Sequence, residues 1–217
     1  MPGVTYVYLH GLCSSPGSNK RRFLQRKLAP SGLEIHAPEL NVPSFEGLTI
    51  SAQVEAVGAF LRDLAPPGRV VLVGSSFGGL ISLLYAQANP EAVARLLLIA
   101  PTTRFLGTGL PALVGTTMAG WKEAGYIEML HYSDDRIHRL GYQLVEDSAT
   151  YDYHKLTVPH PVLIVHGDAD EVVPFERSVA WSARHPNARL VAIAGGDHSL
   201  GERLDEVWQL CREFLLA

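Results

Sequence analysis

Five short runs of β-favouring residues alternate with stretches of helical periodicity, and this alternation constrains the fold more than any other feature. Most runs are apolar at every position, as in strands that are buried on both faces. The runs cover residues 4–9, 70–73, 96–99, 162–165 and 190–193, with a weaker sixth at 33–37. Because strand and helix alternate, we predict an α/β fold with a mostly parallel sheet of about six strands and helices on both faces.

The stretches between the runs have the periodicity of amphipathic helices. Residues 50–64, for example, place Ile50, Val57 and Leu61 on one helical face. Further helices are predicted at residues 18–28, 77–87, 175–184 and 204–215. With 217 residues and 47% hydrophobic content, the chain is long enough for one buried core and short for two. We therefore predict a single domain over residues 1–217.

Residues 104–157 interrupt this alternation. They contain no convincing strand and are much longer than an ordinary connection between a strand and a helix. We predict that they form a helical lid inserted into the domain. Its apolar side chains would either pack the lid onto the body or line an acyl-binding wall, and Met118 and Trp121 are the candidates for substrate binding.

Charge and composition exclude several functions. The formal net charge is −4, and acidic and basic residues are interleaved, so no basic stripe is present that would bind nucleic acid. Residues 1–10 resemble a strand without a signal leader, and no apolar run has membrane-spanning length. The two cysteines, Cys13 and Cys211, do not suggest a disulfide framework. We expect a cytoplasmic protein that binds no membrane and requires no metal or cofactor.

The motif Gly-x-Ser-x-Gly occurs at residues 74–78, between a predicted strand and a predicted helix. A serine on so tight a turn adopts strained backbone geometry, and flanking glycines allow the neighbouring chain to approach closely. The turn would expose the hydroxyl of Ser76, which is the candidate nucleophile. The backbone amide of Phe77, at the start of the following helix, would be one donor of an oxyanion hole.

A serine nucleophile requires a base and usually an acid, and both residue types follow later strands. Asp168 and Asp170 lie directly after the run at 162–165, and His198 follows the run at 190–193. Active sites of open α/β sheets form where the carboxyl ends of parallel strands meet. His198 is therefore the candidate base, while spacing alone leaves the choice of acid open.

The loop after the first run, residues 10–15, would end at the same edge of the sheet. Its backbone amides are further candidates for an oxyanion hole. Cys13 lies in this loop, and it is either a packing residue or a thiol that makes the protein sensitive to thiol reagents.

Together these motifs resemble the α/β-hydrolase superfamily, with nucleophile, acid and base in the order Ser76, Asp170 and His198. The superfamily pattern H-G-x-x-D-x-x-V-P, found at residues 166–174, implies Asp170 as the acid, with Asp168 as the alternative. Residues 8–20 are similar to the corresponding stretch of small bacterial YqiA-like esterases.

The resemblance also implies details of the fold and the oxyanion hole. In the superfamily an H-G loop donates from the backbone of the next residue, which is Leu12 here, while His10 is structural. The two strands that precede this loop in larger relatives are missing, which implies a minimal three-layer fold around a six-stranded sheet.

The function implied is that of a carboxylesterase, a serine hydrolase that cleaves small-molecule acyl esters through an acyl-enzyme on Ser76. An acyl thioesterase with the same three residues is the first alternative. A non-catalytic binding protein that retains the scaffold is the second, because a fold does not guarantee a function.

Overall fold

A computed structural model describes residues 4–105 and 109–217, and its centre is a sheet of six strands in which every neighbouring pair is parallel. The strands of the described residues are β1 (Thr5–Leu9), β2 (Ile35–His36), β3 (Val70–Ser75), β4 (Val93–Ile99), β5 (Tyr126–His131), β6 (Arg136–Gly141), β7 (Val162–Gly167) and β8 (Ala188–Ile193). The sheet has the order β2-β1-β3-β4-β7-β8. The predicted six-stranded parallel sheet is confirmed, although its weak run at 33–37 shortens to the two residues of β2.

Helices cover both faces of this sheet. They are α1 (Asn19–Leu28), α2 (Ile50–Leu64), α3 (Phe77–Ala88), α4 (Leu110–Leu113), α5 (Met118–Ala124), α6 (Gln143–Ser148), α7 (Phe175–Ser182) and α8 (Leu204–Leu216). The hydroxyls of Ser18 and Thr49 cap α1 and α2, because each accepts a hydrogen bond from a first-turn amide. In the described parts of the chain, every helix is too short or too polar to cross a membrane.

The two faces of the sheet form separate apolar clusters. In β1, Tyr6 and Tyr8 pack with α1 and α8, whereas Val7 and Leu9 pack with α2 and α3 on the opposite face. This alternation follows from the two-residue period of a strand. Because both faces are covered by helices, every residue of β3 is buried, which explains why the strands are apolar throughout.

The order of the strands determines where a crevice opens. The chain moves from β1 outward to β2 and then returns to the other side of β1 with β3. The connections after β1 and β3 therefore leave towards opposite faces, and in open α/β sheets the crevice for a ligand forms at the carboxyl edge where this happens. The loop that begins at His10 and the turn that contains Ser76 both lie at this edge, in contact with each other.

The insertion at 104–157, which was predicted to be a helical lid, contains strands as well as helices. Strands β5 and β6 form an antiparallel hairpin, flanked by the short helices α4, α5 and α6. Ile127 and Leu140 are buried partners across the hairpin, while Leu130 and Ile137 are exposed, so the apolar residues alternate as in a half-buried strand pair. The prediction of a helical insertion is therefore wrong for residues 126–141, and residues 106–108 of the insertion lie outside the described residues.

The hairpin is attached to the body at two backbone positions. The amide of Tyr132 donates to the carbonyl of Cys13 over 2.9 Å, and the amide of Gly141 donates to the carbonyl of Glu46 over 3.0 Å. A third attachment joins α6 to α2, because the carboxylate of Asp147 accepts from the amide and the hydroxyl of Ser51. The hairpin therefore lies beside the loop that follows β1.

The turn between β3 and α3 lies unusually close to β1. A Cβ atom added to Gly78 would overlap the backbone carbonyl groups of Leu9 and His10. One added to Gly74 would lie 2.5 Å from Ser82 Oγ and 2.6 Å from the carbonyl oxygen of Gly78. The missing side chain at Gly78 lets the turn approach β1, and the missing side chain at Gly74 lets the first turns of α3 pack against the end of β3.

We expect Gly78→Ala to lower the free energy of unfolding by about 1–3 kcal/mol or more, because backbone atoms rather than a flexible side chain would have to move. Gly58→Ala is the matched control in the interior of α2. There the added methyl would make ordinary contacts, 3.4 Å from Arg62 Nη1 and 3.6 Å from Tyr85 Cε2, and we expect stabilisation by about 0.5–1 kcal/mol. Urea unfolding of both variants measures the two effects, and equal stability of the two would contradict the close approach at Gly78.

Candidate active site

Three side chains from three strand ends meet in the crevice. Ser76 follows β3, Asp170 follows β7 and His198 follows β8. Ser76 Oγ lies 3.0 Å from His198 Nε2, and His198 Nδ1 lies 2.8 Å from Asp170 Oδ2. With a carboxylate at Nδ1, the neutral imidazole carries its proton there and presents the lone pair of Nε2 to the serine hydroxyl.

Ser76 has a positive φ, with φ 53° and ψ −119°. This geometry is strained for a residue with a side chain, and the surrounding backbone maintains it. The amide of Ser76 donates to Ile99 in β4, and its carbonyl accepts from the amides of Gly79 and Thr102. Both neighbouring segments thus fix the turn, so the hydroxyl is fixed relative to the sheet.

Asp170, rather than Asp168, contacts the histidine. Asp168 Oδ1 instead accepts a hydrogen bond from the amide of Gly195 over 2.6 Å, which links the loop after β7 to the loop after β8. A second link runs from the amide of His198 to the carboxylate of Glu171, over 3.2 Å. These two acids position the loop that contains His198.

The carboxylate of Asp170 is fully buried and accepts four hydrogen bonds. Oδ1 accepts from the amides of Val172 and Val173, at 2.9 and 2.7 Å, and Oδ2 accepts from His166 and His198, at 2.9 and 2.8 Å. Burial by itself raises the pKa of this carboxyl, but the hydrogen bonds from the two histidines and the Val173 amide outweigh it. The pKa of Asp170 is therefore held well below its usual range, and the group remains an acceptor for His198.

Sequence reasoning missed a second layer behind Asp170. His166 is fully buried, and its Nε2–H donates to Asp170 Oδ2. Its Nδ1 lies 2.7 Å from the hydroxyl of Ser178, which donates to it and fixes the tautomer. The signal was present in the H-G-x-x-D-x-x-V-P pattern, which begins with His166 but served only to locate the aspartate.

The loop after β1 lies against the nucleophile. A Cβ at Gly11 would lie 3.2 Å from Ser76 Cβ and 3.7 Å from Ser76 Oγ. The buried ring of His10 supports this loop, because Nε2 accepts from the amide of Leu40 and Nδ1 donates to the carbonyl of Gly11.

Two backbone amides near Ser76 have no assigned acceptor. Phe77 is the first residue of α3, where the helix offers no acceptor to a backbone N–H. Leu12 follows Gly11, and its amide makes no backbone hydrogen bond within the described segments. The places of both residues fit the predicted oxyanion donors, and their role remains a prediction.

The remaining candidates from the sequence are Trp121, Met118 and Cys13. Trp121 is completely buried and its indole N–H donates to the carbonyl of Leu140, so the structure does not support its predicted contact with a substrate. Met118 packs partly buried on the same core, and its role stays a prediction. Burial raises the pKa of the Cys13 thiol to about 12, which favours packing over reactivity.

Comparison with known proteins finds related sequences. The model of an uncharacterised protein family, UPF0227, matches residues 5–215. The mitochondrial palmitoyl-protein thioesterase ABHD10 of Mus musculus is 30% identical over 168 residues, which are 75% of this chain and 56% of that protein. The chain thus spans about half the length of the curated relatives that it matches.

Solved structures resemble the whole described fold. Est1E from Butyrivibrio proteoclasticus superposes with a TM-score of 0.78 at 26% identity, over 99% of this chain and 87% of that chain. The mouse α/β hydrolase domain-containing protein 10 superposes with a TM-score of 0.77 at 24% identity, over 100% of this chain and 89% of that chain. The predicted α/β-hydrolase fold is confirmed by these similarities.

We expect Ser178→Ala to lower the free energy of unfolding by about 1–3 kcal/mol, because Nδ1 of the buried His166 would lose its only donor. Ser182→Ala is the matched control on the same helix, where the hydroxyl is partly exposed and bonds only to a carbonyl one turn earlier. A change within about 0.5 kcal/mol is expected there. Urea unfolding distinguishes the two, and a Ser178→Ala protein as stable as the control would contradict this hydrogen bond.

A second prediction concerns acid stability. Because the pKa of Asp170 is lowered on folding, its carboxylate adds stability that is present above the unfolded pKa of about 3.9 and is lost as the pH falls through the folded value. The difference in unfolding free energy between wild type and Asp170→Asn should therefore shrink from about pH 6 to about pH 2.5. Asp63→Asn, at an exposed position of α2, is the control. A difference that stays constant with pH would contradict the lowered pKa.

Proposed function

The chain belongs to the UPF0227 family of the α/β-hydrolase superfamily, and we propose that it is a serine hydrolase that cleaves small carboxylic esters. One observation carries the proposal: the unbroken chain of hydrogen bonds from Ser76 Oγ through His198 to the buried Asp170, at 3.0 and 2.8 Å. A serine hydroxyl becomes a useful nucleophile when a base lies within this distance and an acid orients that base.

In the proposed mechanism, Ser76 Oγ attacks the carbonyl carbon of the ester and its proton passes to His198 Nε2. Asp170 stabilises the imidazolium that forms, and the amides of Leu12 and Phe77 donate to the oxyanion. The tetrahedral intermediate collapses as His198 returns the proton to the leaving alcohol, which leaves an acyl group on Ser76. Water then attacks the acyl-enzyme while His198 takes its proton. As the bond between the acyl carbon and Ser76 Oγ breaks, His198 returns this proton to Oγ and the carboxylic acid is released.

We propose that the insertion at 104–157 acts as a cap over the substrate. Its first described part passes beside the nucleophile, because the ring of Phe105 packs edge-on against that of Phe77, with centroids 5.2 Å apart. Its hairpin adjoins the loop with Leu12 through the bond from Tyr132 to Cys13. The cap therefore borders the crevice on two sides and is the part of the chain suited to select the acyl group.

An acyl thioesterase is the second candidate, and it is favoured by the relative that is named a palmitoyl-protein thioesterase. The same steps apply, except that the thiol takes the proton from His198 as it leaves. Since both reactions pass through the same acyl-enzyme, the substrate and not the three residues distinguishes them.

The proposal is tested by hydrolysis of p-nitrophenyl esters of graded acyl length. We expect Ser76→Ala and His198→Ala each to lower kcat by at least about 10³-fold, because each removes a group that acts in the proposed covalent step. Ser182→Ala and His36→Ala, which change the same residue types away from the crevice, should retain the activity. The acyl length with the highest kcat/KM then measures the size of the acyl pocket.

Activity that survives Ser76→Ala would overturn the assignment of the nucleophile. Absence of activity on any ester, with activity on the matching thioesters, would favour the second candidate. Absence of both would favour a binding protein that retains the scaffold.

A further inference from the structure

A pocket of about 390 Å³ lies between the end of the insertion and α7. Three arginines line it: Arg104 from the segment after β4, and Arg177 and Arg184 from α7 and the residues that follow. Tyr153 also lines the pocket, and Glu176 is the one carboxylate in the lining. A volume of this size accommodates a small ligand or part of a larger one.

The protein offsets only part of the positive charge of this arginine pocket, because one carboxylate, that of Glu176, lines it beside three arginines. Of the ion pairs in the described residues, none involves Arg104, Arg177 or Arg184. Among the described residues, Arg203 is the one arginine that forms an ion pair, with Glu206 at 3.2 Å. The grouping of three arginines in one lining, and not their lack of partners, therefore distinguishes this pocket. Partial burial lowers the pKa of Arg177, and the nearby charge of Arg104 lowers it further, so these two cations repel each other. An acidic chain thus concentrates unpaired positive charge in one concave site.

Both walls of the arginine pocket are linked to the candidate active site by hydrogen bonds of neighbouring residues. The amide of Thr102 donates to the carbonyl of Ser76 over 3.0 Å, and Arg104 is only two residues further, a span of at most about 7 Å. In the other wall, Arg177 is next to Ser178, whose hydroxyl bonds to His166 behind Asp170. One wall is therefore fixed to the nucleophile and the other to the acid.

The wall formed by α7 is rigid. The ring of Trp181 is buried and stacks on that of His185, with centroids 3.8 Å apart and planes 15° apart. The two ring nitrogens of His185 lie 2.6 Å from the carbonyl oxygen of Trp181 and 3.1 Å from that of Leu156. These contacts hold α7 in place, so Arg177 and Arg184 project from a fixed surface.

We propose that the arginine pocket binds a phosphate group carried on the leaving arm of the substrate. Guanidinium groups form paired hydrogen bonds to phosphate oxygens, and several of them together suit an anion with more than one charge. A phosphate monoester carries nearly two negative charges and three acceptor oxygens, whereas a carboxylate carries one charge and two oxygens. The inference rests on the proposed function and narrows it to thioesters or esters with a phosphorylated leaving group.

The test compares two thioesters with the same acyl group and different leaving thiols. The leaving thiol of octanoyl-coenzyme A carries phosphate groups on its arm, away from the sulfur. The leaving thiol of the octanoyl thioester of N-acetylcysteamine carries no phosphate. We expect Arg177→Gln and Arg104→Gln each to raise KM for the first thioester about tenfold, with kcat unchanged and with both constants for the second unchanged. Arg212→Gln, at an exposed position of α8, is the matched control and should change neither substrate.

A second measurement tests the pocket without catalysis. We expect inorganic pyrophosphate to bind wild type in isothermal titration calorimetry, to bind Arg177→Gln about tenfold more weakly, and to compete with the phosphorylated thioester only. Pyrophosphate binding that is unaffected by Arg177→Gln would overturn the proposal, as would equal effects of the variant on both thioesters. Arginine-dependent binding of pyrophosphate without competition would show a free anion as the ligand and would overturn the link to the leaving arm.

These outcomes are distinct from failure of the proposed function. In the same preparation, p-nitrophenyl octanoate reports whether Ser76 acts as a nucleophile, and this ester carries no phosphate. Its hydrolysis without arginine-dependent recognition of coenzyme A would remove only the further inference.

Discussion

The close backbone approach between the first turn of α3 and the end of β1 determines the geometry of the whole crevice. Gly78 lies against the carbonyls of Leu9 and His10, and Gly11 lies against Ser76. Because no side chain separates these segments, the loop after β1 and the turn after β3 act as one surface. The candidate oxyanion amides and the serine hydroxyl then have fixed relative positions, and the strained conformation of Ser76 is maintained by packing rather than by its own preference.

A buried polar network extends from this surface into the core. It runs from Ser76 through His198, Asp170 and His166 to Ser178, and each link is between 2.7 and 3.0 Å. In a low-dielectric interior such a network is stable only when every member has a partner, and here the two backbone amides at Asp170 complete it. The network also connects the sheet to α7, so the site and the arginine pocket share one rigid support.

The sequence predicted the strands that are buried on both faces and the site residues whose motif lies in one short segment. The core strands could be predicted because both of their faces are buried, and Ser76 and His198 because each follows such a strand. The choice of Asp170 required the family pattern, since two aspartates have suitable spacing and only the folded loop shows that Asp168 bonds to Gly195 instead.

The remaining features depend on contacts between distant segments. The hairpin in the insertion was missed because Ile127 and Leu140, near its open end, are the buried hydrophobic residues of its two strands, which leaves a weak alternation in the sequence. The arginine pocket brings Arg104 together with two residues of a much later segment, and the support from Ser178 reaches His166 from another helix. The two amides that fasten the hairpin, from Tyr132 and Gly141, are backbone groups, which any residue except proline provides. The exposed side chains of the hairpin can consequently be randomised in a directed-evolution library. The two backbone hydrogen bonds would keep the hairpin attached to the scaffold while its surface changes.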